Sequence, residues 1–310
     1  MADAADIYQI AELRCWSEAT AAMIPPPRLA VCGDPVVHSA SPPMHNAALE
    51  HCGIDARYTR LHLRAEELAE AFSLLAGSGF IGVNCTIPHK PAALSLVHEV
   101  DASARLAGGV NTVRVRDDGR LEGFSTDGRG LSRAVREQFG TGLGDLRVAV
   151  LGAGGGAGRA VAMQCASEGS PRVALINRTL EKLVPLRTEM MGEFEKCSVE
   201  VVGFELDALE AQLGESDLVI NCTALGMKPA DPTPIPAGML RAQHLVLDTI
   251  YTAARTPLMC AADAVGARSA NGLSMLLHQG ALSFEIWFGR DAPVEVMRTA
   301  LLAVQQGVAA

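Results

Sequence analysis

The chain of 310 residues is long enough for two domains, each with its own hydrophobic core. Its formal net charge of −9 disfavours binding to nucleic acid or to an anionic membrane, and its 49% hydrophobic content excludes extended disorder. The eight cysteines are scattered without a Cys-x-x-Cys pair and the histidines lack ligand spacing, so we expect no disulfide framework and no metal site. The chain start is acidic rather than basic, and no apolar run is long enough to span a membrane. A cytoplasmic protein is therefore expected.

The first segments in chain order are a helix and a strand. Residues 1–27 are predicted to form a helical extension that ends at three prolines. A strand follows over 28–32 and leads to Ser39 and Ser41, where Ser41 is predicted to be the N-cap of the next helix. Two hydroxyls at a helix N-terminus either cap the helix or hold a carboxylate, and the residues alone leave both roles open.

Polar residues follow the next predicted strands. The strand 80–84 leads to Lys90, which stands in the first turn of a helix, where its charge opposes the helix dipole. This position favours a role toward a ligand bound at the strand tips. A β-hairpin is predicted from 109–115 and 121–124, and Asp127 then heads a long helix, where capping is the alternative role.

A glycine-rich turn between a strand and a helix predicts a mononucleotide-binding unit. The run RVAVLGAGGGAGRAVA begins at Arg147 and carries five glycines in seven positions. In the spacing Gly-x-Gly-x-x-Gly counted from Gly152, the third position falls on Ala157, and Gly158 suggests one extra loop residue. The helix N-terminus then faces a phosphate. The alternative is a glycine-rich turn that binds nothing.

The end of the next strand predicts the cofactor. The apolar strand 172–176 is followed by Arg178 and Lys182, and no acidic residue stands at 176–179. An acid there would bind the ribose hydroxyl of NAD, whereas an arginine accommodates the 2′-phosphate of NADP. We therefore predict NADP, with Arg178 as the phosphate ligand and Lys182 as a helper. A solvated surface arginine is the alternative.

Nine pieces of the chain, in order, make it similar to the shikimate dehydrogenase family. The resemblance implies an α/β fold in which an N-terminal substrate domain (28–126 with 272–310) and a C-terminal Rossmann-type NADP-binding domain (127–271) enclose the active site in a cleft between them. The pieces are GDPVVHSASPPMHN (33–46), GVNCTIPHK (82–90), GGVNT (108–112), GFSTDGRG (123–130), the glycine turn, NRTLEK (177–182), DLVINCTALGMKP (217–229), DTIY with TPL (248–258) and NGLSMLLHQGALSFEIW (271–287).

The resemblance also implies the reaction, reversible NADPH-dependent reduction of 3-dehydroshikimate to shikimate. Lys90 and Asp127 match the family's catalytic pair, with Lys90 as proton donor and Asp127 orienting it. The implied substrate ligands are Ser39 and Ser41 for the carboxylate, Asn84, Thr86, Asn111 and Gln279 for the ring hydroxyls, and Tyr251 over the carboxylate. The implied cofactor ligands are Gly152, Ala153, Gly154, Gly155, Gly156, Ala157, Asn177, Arg178, Thr179, Lys182, Thr223, Met227 and Gly272.

Four positions depart from the family pattern and keep other functions open. Ser125 replaces a usual Asn, and Cys85 replaces a usual Val. Thr252-Ala253 follows Tyr251, where a proline is common two residues after the tyrosine, and the glycine turn has its extra residue. The alternatives are an NAD-dependent quinate/shikimate dehydrogenase and a non-catalytic regulator of the same fold. A monomer or a homodimer is expected.

Overall fold

The computed structural model describes residues 7–228, 230–252 and 254–306. The remaining residues, including Ala253 and parts of the predicted terminal segments, lie outside this described part. The described residues divide into two compact units. Unit 1 comprises those of Met1–Thr126 and Gln279–Ala310, and unit 2 those of Asp127–His278.

Strands and helices alternate along both units. The strands are β1 (Ile7–Tyr8), β2 (Pro27–Gly33), β3 (Arg57–His62), β4 (Gly82–Cys85), β5 (Glu99–Val100), β6 (Thr112–Val115), β7 (Leu121–Phe124), β8 (Arg147–Leu151), β9 (Arg172–Ile176), β10 (Ser198–Val202), β11 (Leu218–Asn221), β12 (Leu245–Asp248) and β13 (Arg268–Ala270). The helices are α1 (Ile10–Arg14), α2 (Trp16–Ala19), α3 (Ser41–His51), α4 (Leu68–Leu75), α5 (Lys90–Ala93), α6 (Ala102–Ala107), α7 (Asp127–Phe139), α8 (Gly156–Ser167), α9 (Leu183–Glu193), α10 (Leu206–Gly214), α11 (Pro257–Ala264), α12 (Leu273–Phe288) and α13 (Val294–Gln305).

Unit 1 is built on a mixed sheet in the order β1-β3-β2-β4-β6-β7-β5. The first three pairs in this order are parallel, and β6 and β7 form the predicted antiparallel hairpin. In the β4–β6 pair Asn84 stands opposite Thr112, which on its other side stands opposite Phe124. Polar side chains at the carboxyl end of β4 are thereby brought beside those at the start of β6.

The described part of the N-terminal segment belongs to unit 1, and it does not form the single helix predicted for residues 1–27. β1 pairs with β3, and Leu13 and Trp16 are buried in the core of this unit. The apolar residues of this segment recur every three positions, and each step of three drifts by about 60° around a straight helix. A single helix therefore cannot bury all of them, and the segment is instead a short strand followed by two short helices.

Unit 2 is an all-parallel sheet in the order β10-β9-β8-β11-β12-β13. The strands β8, β9 and β11 are almost fully buried, as strands covered by helices on both faces require. Numbered within this unit the order is 3-2-1-4-5-6, which is the arrangement of dinucleotide-binding folds. The predicted α/β fold class, with a Rossmann-type second unit, is confirmed.

The chain returns to unit 1 at Gln279. Both units thus contain part of α12, whose first residues pack in unit 2. There the Ser274 hydroxyl donates to Oε2 of Glu137 on α7, and Nε2 of His278 lies 2.8 Å from the same oxygen. These bonds attach the start of α12 to α7. The point at which the chain passes from unit 2 to unit 1 lies after them.

One buried histidine makes the stability of unit 1 sensitive to acid. His45 is 0% exposed, its ring stacks on Tyr58 at 4.4 Å, and neither ring nitrogen has a partner within the described residues. Burial lowers the pKa of His45 to about 3. Between this value and the ordinary histidine pKa of about 6.5, the unfolded chain binds a proton that the folded chain does not.

Stability is therefore expected to fall as the pH decreases below about 6.5, by up to about 1.4 kcal/mol per pH unit from this group. The variant His45→Leu should lose this part of the slope. Urea unfolding of the wild type and the variant between pH 6.5 and 5 measures it. His51→Leu removes an exposed histidine of the same helix, and it should keep the wild-type slope. Equal slopes in all three proteins would contradict the assignment.

Candidate functional site

In unit 1 the predicted substrate residues follow the carboxyl ends of β2 and β4. The Thr86 amide donates to Cys32 O at 2.9 Å, and a Cβ added to Gly33 would lie 2.4 Å from Thr86 Cγ2. The absence of a side chain at Gly33 thus lets Thr86 pack at the end of β2. Lys90 begins α5 and is half-buried, and its carbonyl accepts from the Val110 amide at 2.8 Å.

The side chain of Asn84 is the centre of a buried hydrogen-bond network. Its Nδ2 donates to three acceptors, each at 3.0 Å, which are Asn111 O, Thr112 Oγ1 and Ser283 Oγ. Its Oδ1 accepts from the Tyr58 hydroxyl at 2.7 Å. Because both N–H bonds are used within the protein, Asn84 has only acceptor capacity left, the second lone pair of Oδ1.

Asn111 and Gln279 belong to the same network. The amide of Thr126 donates to Asn111 Oδ1 at 2.8 Å, and Asn111 Nδ2 donates to Thr126 Oγ1 at 2.9 Å. A longer bond of 3.4 Å joins Asn111 Nδ2 to Gln279 Oε1. The last residue of unit 1 before α7 is therefore tied to the hairpin.

The prediction that Ser41 is the N-cap of α3 is wrong, because Ser41 is the first residue of the helix. The cap position is Ala40, which has no hydroxyl, and prolines follow in the first turn. The Ser41 amide donates to Ser39 Oγ at 3.3 Å, and the buried guanidinium of Arg60 donates to Ser39 O at 2.8 Å. Ser41 therefore does not cap the helix, whereas the Ser39 hydroxyl accepts from a first-turn amide, and for Ser39 both roles stay open.

The glycine turn of unit 2 shows where the extra residue is placed. Gly152 has φ +80 and makes the turn after β8, and α8 begins at Gly156. An added Cβ at Gly158 would lie 2.3 Å from Gly152 O, whereas Ala157 is exposed. Gly158, not Ala157, therefore takes the position where helix and strand pack closely, as the extra residue suggested.

The groups around this turn fit a dinucleotide with a 2′-phosphate. No side chain caps α8, so the N–H groups of its first turn are available to an anion. A Cβ on Gly154 would lie 2.9 Å from Asn177 Nδ2 and 3.2 Å from Lys182 Cβ, which places the turn after β9 against the glycines. Asn177 Nδ2 also donates to Thr179 O at 3.0 Å. Arg178 and Lys182 are exposed, and neither has a partner in the part of the chain that the structure describes.

The other predicted cofactor residues lie around a second buried network, at the ends of β11 and β12. Asn221 Nδ2 donates to Asp248 Oδ1 at 2.9 Å, and Asn221 Oδ1 accepts from the Thr223 hydroxyl at 2.7 Å. A Cβ on Gly272 would lie 2.0 Å from Thr249 O, so this glycine is required for close packing. In contrast, Met227 is 63% exposed.

Asp248 is a buried carboxylate that holds this edge of the sheet. It accepts from Asn221, from the Thr256 hydroxyl at 2.6 Å and from the Ile250 amide at 3.2 Å. Burial raises the pKa of Asp248, and these bonds oppose that shift. The segment after β12 that carries Tyr251, 39% exposed, is thereby anchored on its carboxyl.

Several residues of these networks have no role in the sequence analysis. Asn221 and Asp248 share with the predicted ligand Asn84 a signal that the sequence does show, a polar residue near the end of an otherwise apolar strand. Such a residue needs a partner when it is buried. Tyr58, Arg60 and Ser283 carry no such signal, because they reach the network from segments distant in the chain.

The described residues contain no helix with the length and apolar character needed to cross a membrane. Nor do they contain a group of three or more His, Cys, Asp or Glu side chains arranged to hold a metal ion. All eight cysteines are free thiols.

Models of one enzyme family match most of the chain. The model for the shikimate dehydrogenase substrate binding domain matches residues 31–113, and the model for shikimate/quinate 5-dehydrogenase matches residues 133–228. The model for the shikimate 5′-dehydrogenase C-terminal domain matches residues 272–302.

Individual proteins agree with these models. Shikimate dehydrogenase (NADP(+)) of Methanopyrus kandleri is 40% identical over 274 residues, which cover 87% of this chain and 93% of that protein. The crystal structure of shikimate 5-dehydrogenase from Thermus thermophilus in complex with NADP(H) and shikimate is similar at 35% identity and a TM-score of 0.78, covering 89% of this chain and 98% of that one. Quinate dehydrogenase from Corynebacterium glutamicum in complex with NAD is similar at 29% identity and a TM-score of 0.79, with coverage of 89% and 98%.

Two glycines of α8 form a matched pair for testing the turn geometry. Gly156→Ala adds a methyl group into open space, because no atom lies within 4 Å of the new Cβ. It should leave stability unchanged or raise it by up to about 1 kcal/mol through helix propensity. Gly158→Ala places the same group against Gly152 O and Ala153 Cα, and should cost about 1–3 kcal/mol. Urea unfolding of both variants measures the difference, and equal stabilities would show that Gly158 is not a packing position.

Proposed function

The chain belongs to the shikimate dehydrogenase family, and we propose that it catalyses the reversible, NADPH-dependent reduction of 3-dehydroshikimate to shikimate. The observation that carries this function is its match to an NADP-dependent shikimate dehydrogenase at 40% identity over 93% of that relative's length. The reaction is a step of the route to chorismate and the aromatic amino acids.

Within unit 1 the proposed work is substrate binding and proton transfer. NADPH supplies the hydride, and the carbonyl oxygen that is reduced then needs a proton donor. Lys90, half-buried at the start of α5, is the proposed donor. Ser39 and Ser41 are proposed to bind the carboxylate, while Asn84, Thr86, Asn111 and Gln279 bind the ring hydroxyls. Asp127 remains the second predicted catalytic residue.

Unit 2 is proposed to bind NADP through the groups around its glycine turn. The first-turn N–H groups of α8 bind the pyrophosphate, and the exposed cations Arg178 and Lys182 bind the 2′-phosphate. Thr223, Met227, Gly272 and Tyr251 lie on the segments around the carboxyl edge of β11 and β12. For them we propose the nicotinamide-side and carboxylate contacts that the family resemblance implies.

The free cysteines suit a reducing compartment, and we propose a cytoplasmic location on that ground. The oligomeric state stays a prediction of a monomer or a homodimer.

The function is tested by initial rates on shikimate and on quinate, each with NADP and with NAD. Strong preference for shikimate with NADP is expected. Preference for quinate with NAD would assign the chain to the activity of its Corynebacterium neighbour instead. Absence of turnover with all four pairs would support a non-catalytic regulator.

Removal of the Lys90 ammonium should abolish proton donation and leave cofactor binding intact. The variant Lys90→Ala is expected to lose at least about 100-fold in kcat. Its dissociation constant for NADPH, measured by fluorescence titration, should stay at the wild-type value because no proposed cofactor contact is removed. A matched loss of NADPH affinity would place Lys90 outside the substrate site. Lys196→Ala, at an exposed lysine of unit 2, is the control.

Removal of the two exposed cations should change the cofactor preference. The double variant Arg178→Gln/Lys182→Gln is expected to lose about 10- to 100-fold in kcat/KM for NADP, since it removes charged hydrogen bonds to the 2′-phosphate. Its kcat/KM for NAD should be unchanged. The exposed Lys196→Gln controls for net charge. Equal losses with both cofactors would mean that these side chains do not read the 2′-phosphate.

A further inference from the structure

Tyr58 is buried in unit 1, where both its ring and its backbone make specific contacts. It is 0% exposed, and its ring stacks on His45 with an interplanar angle of 8°. The Asn46 side chain binds both backbone polar groups of Tyr58. Its Oδ1 accepts from the Tyr58 amide at 2.7 Å, and its Nδ2 donates to Tyr58 O at 3.0 Å. The phenol therefore has a fixed position between α3 and the sheet.

The Tyr58 hydroxyl, on β3, contacts the side chain of a predicted substrate ligand on β4, Asn84. It donates its one hydrogen to Asn84 Oδ1 at 2.7 Å, since a carboxamide oxygen can only accept. Burial raises the pKa of Tyr58 well above its ordinary value, so the phenol stays protonated at neutral pH and remains a donor.

We propose that Tyr58 is a positioning residue of the substrate site, which fixes Asn84 as an acceptor for a ring hydroxyl. The proposal rests on the proposed function and adds a specificity consequence. At Asn84 one lone pair of Oδ1 is occupied by Tyr58 and both N–H bonds are used by the protein. The ring position that meets Asn84 must therefore carry a hydroxyl donor.

The variant Tyr58→Phe tests this connection, because it removes only the hydroxyl and keeps the stacked ring. The KM for shikimate is expected to rise by about 3- to 10-fold, the loss of one buried hydrogen-bond link. The KM for NADP should not change. Tyr8→Phe removes the other phenol hydroxyl of unit 1, which contacts Met23 Sδ at 2.6 Å, and it should leave both KM values at the wild-type level.

A second substrate separates positioning from a merely structural role. Shikimate analogues that each lack one ring hydroxyl remove one donor at a time, so the penalty of Tyr58→Phe should be smaller with the analogue that lacks the hydroxyl facing Asn84. The effects of Asn84→Ala and Tyr58→Phe on the KM for shikimate should also combine to less than their product. A lowered melting temperature with an unchanged KM would overturn the proposal, and so would equal penalties with shikimate and all of its analogues.

A measurement on the folded wild-type chain covers the case in which Tyr58→Phe does not fold. The chain has three tyrosines, so protein labelled with 3-fluorotyrosine gives three ¹⁹F resonances, assigned with Tyr8→Phe and Tyr251→Phe. Addition of shikimate should shift the Tyr58 resonance, and NADP alone should not. A Tyr58 resonance that ignores shikimate would overturn the proposal while wild-type turnover still supports the function. Absence of wild-type turnover would instead reject the function itself.

Discussion

The candidate sites depend on the requirement that polar groups buried at the ends of strands must find hydrogen-bond partners. In unit 1 this requirement is met around Asn84. Its side-chain Nδ2 donates hydrogen bonds to a loop, a strand and a helix. In unit 2 it is met around Asp248, which accepts three hydrogen bonds. An unmet bond at either position costs about 1–3 kcal/mol. The hydrogen bonds that satisfy these buried groups also fix the turns that carry the predicted ligands.

A second constraint is close approach of the backbone, which determines where the glycine turn meets its helix. The pattern Gly-x-Gly-x-x-Gly counted from Gly152 places its last position on Ala157, but the close contact is made by Gly158. The helix α8 begins at Gly156 with a side chain exposed at 157. One inserted residue therefore moves the position that must lack a Cβ from 157 to 158. The N-terminus of α8, which faces an anion, stays in place.

The sequence predicted the parts of the fold whose signals are local. Apolar runs with turn residues located β2, β4, β8, β9 and the β6–β7 hairpin, and the glycines located the nucleotide unit. The N-terminal segment was predicted wrongly because its strand exists only by pairing with β3, about fifty residues away in the chain. The roles of Tyr58, Arg60 and Ser283 were not predicted, for the same reason. Their roles arise from contacts that no periodicity or short motif encodes, whereas the predicted ligands were found through family motifs and keep roles that await experiment.

The proposed residue roles imply that the two candidate sites select their ligands by different physical means. The amide of Asn84 is buried and almost fully committed, so the substrate side of the site is preorganised and one hydrogen-bond direction is open. The cations Arg178 and Lys182 are exposed, and each loses side-chain freedom when it meets a phosphate. A change of cofactor preference therefore requires only exchange of exposed side chains. A change of ring substrate requires a new partner for every group in the Asn84 network, because each altered member leaves another buried group unsatisfied.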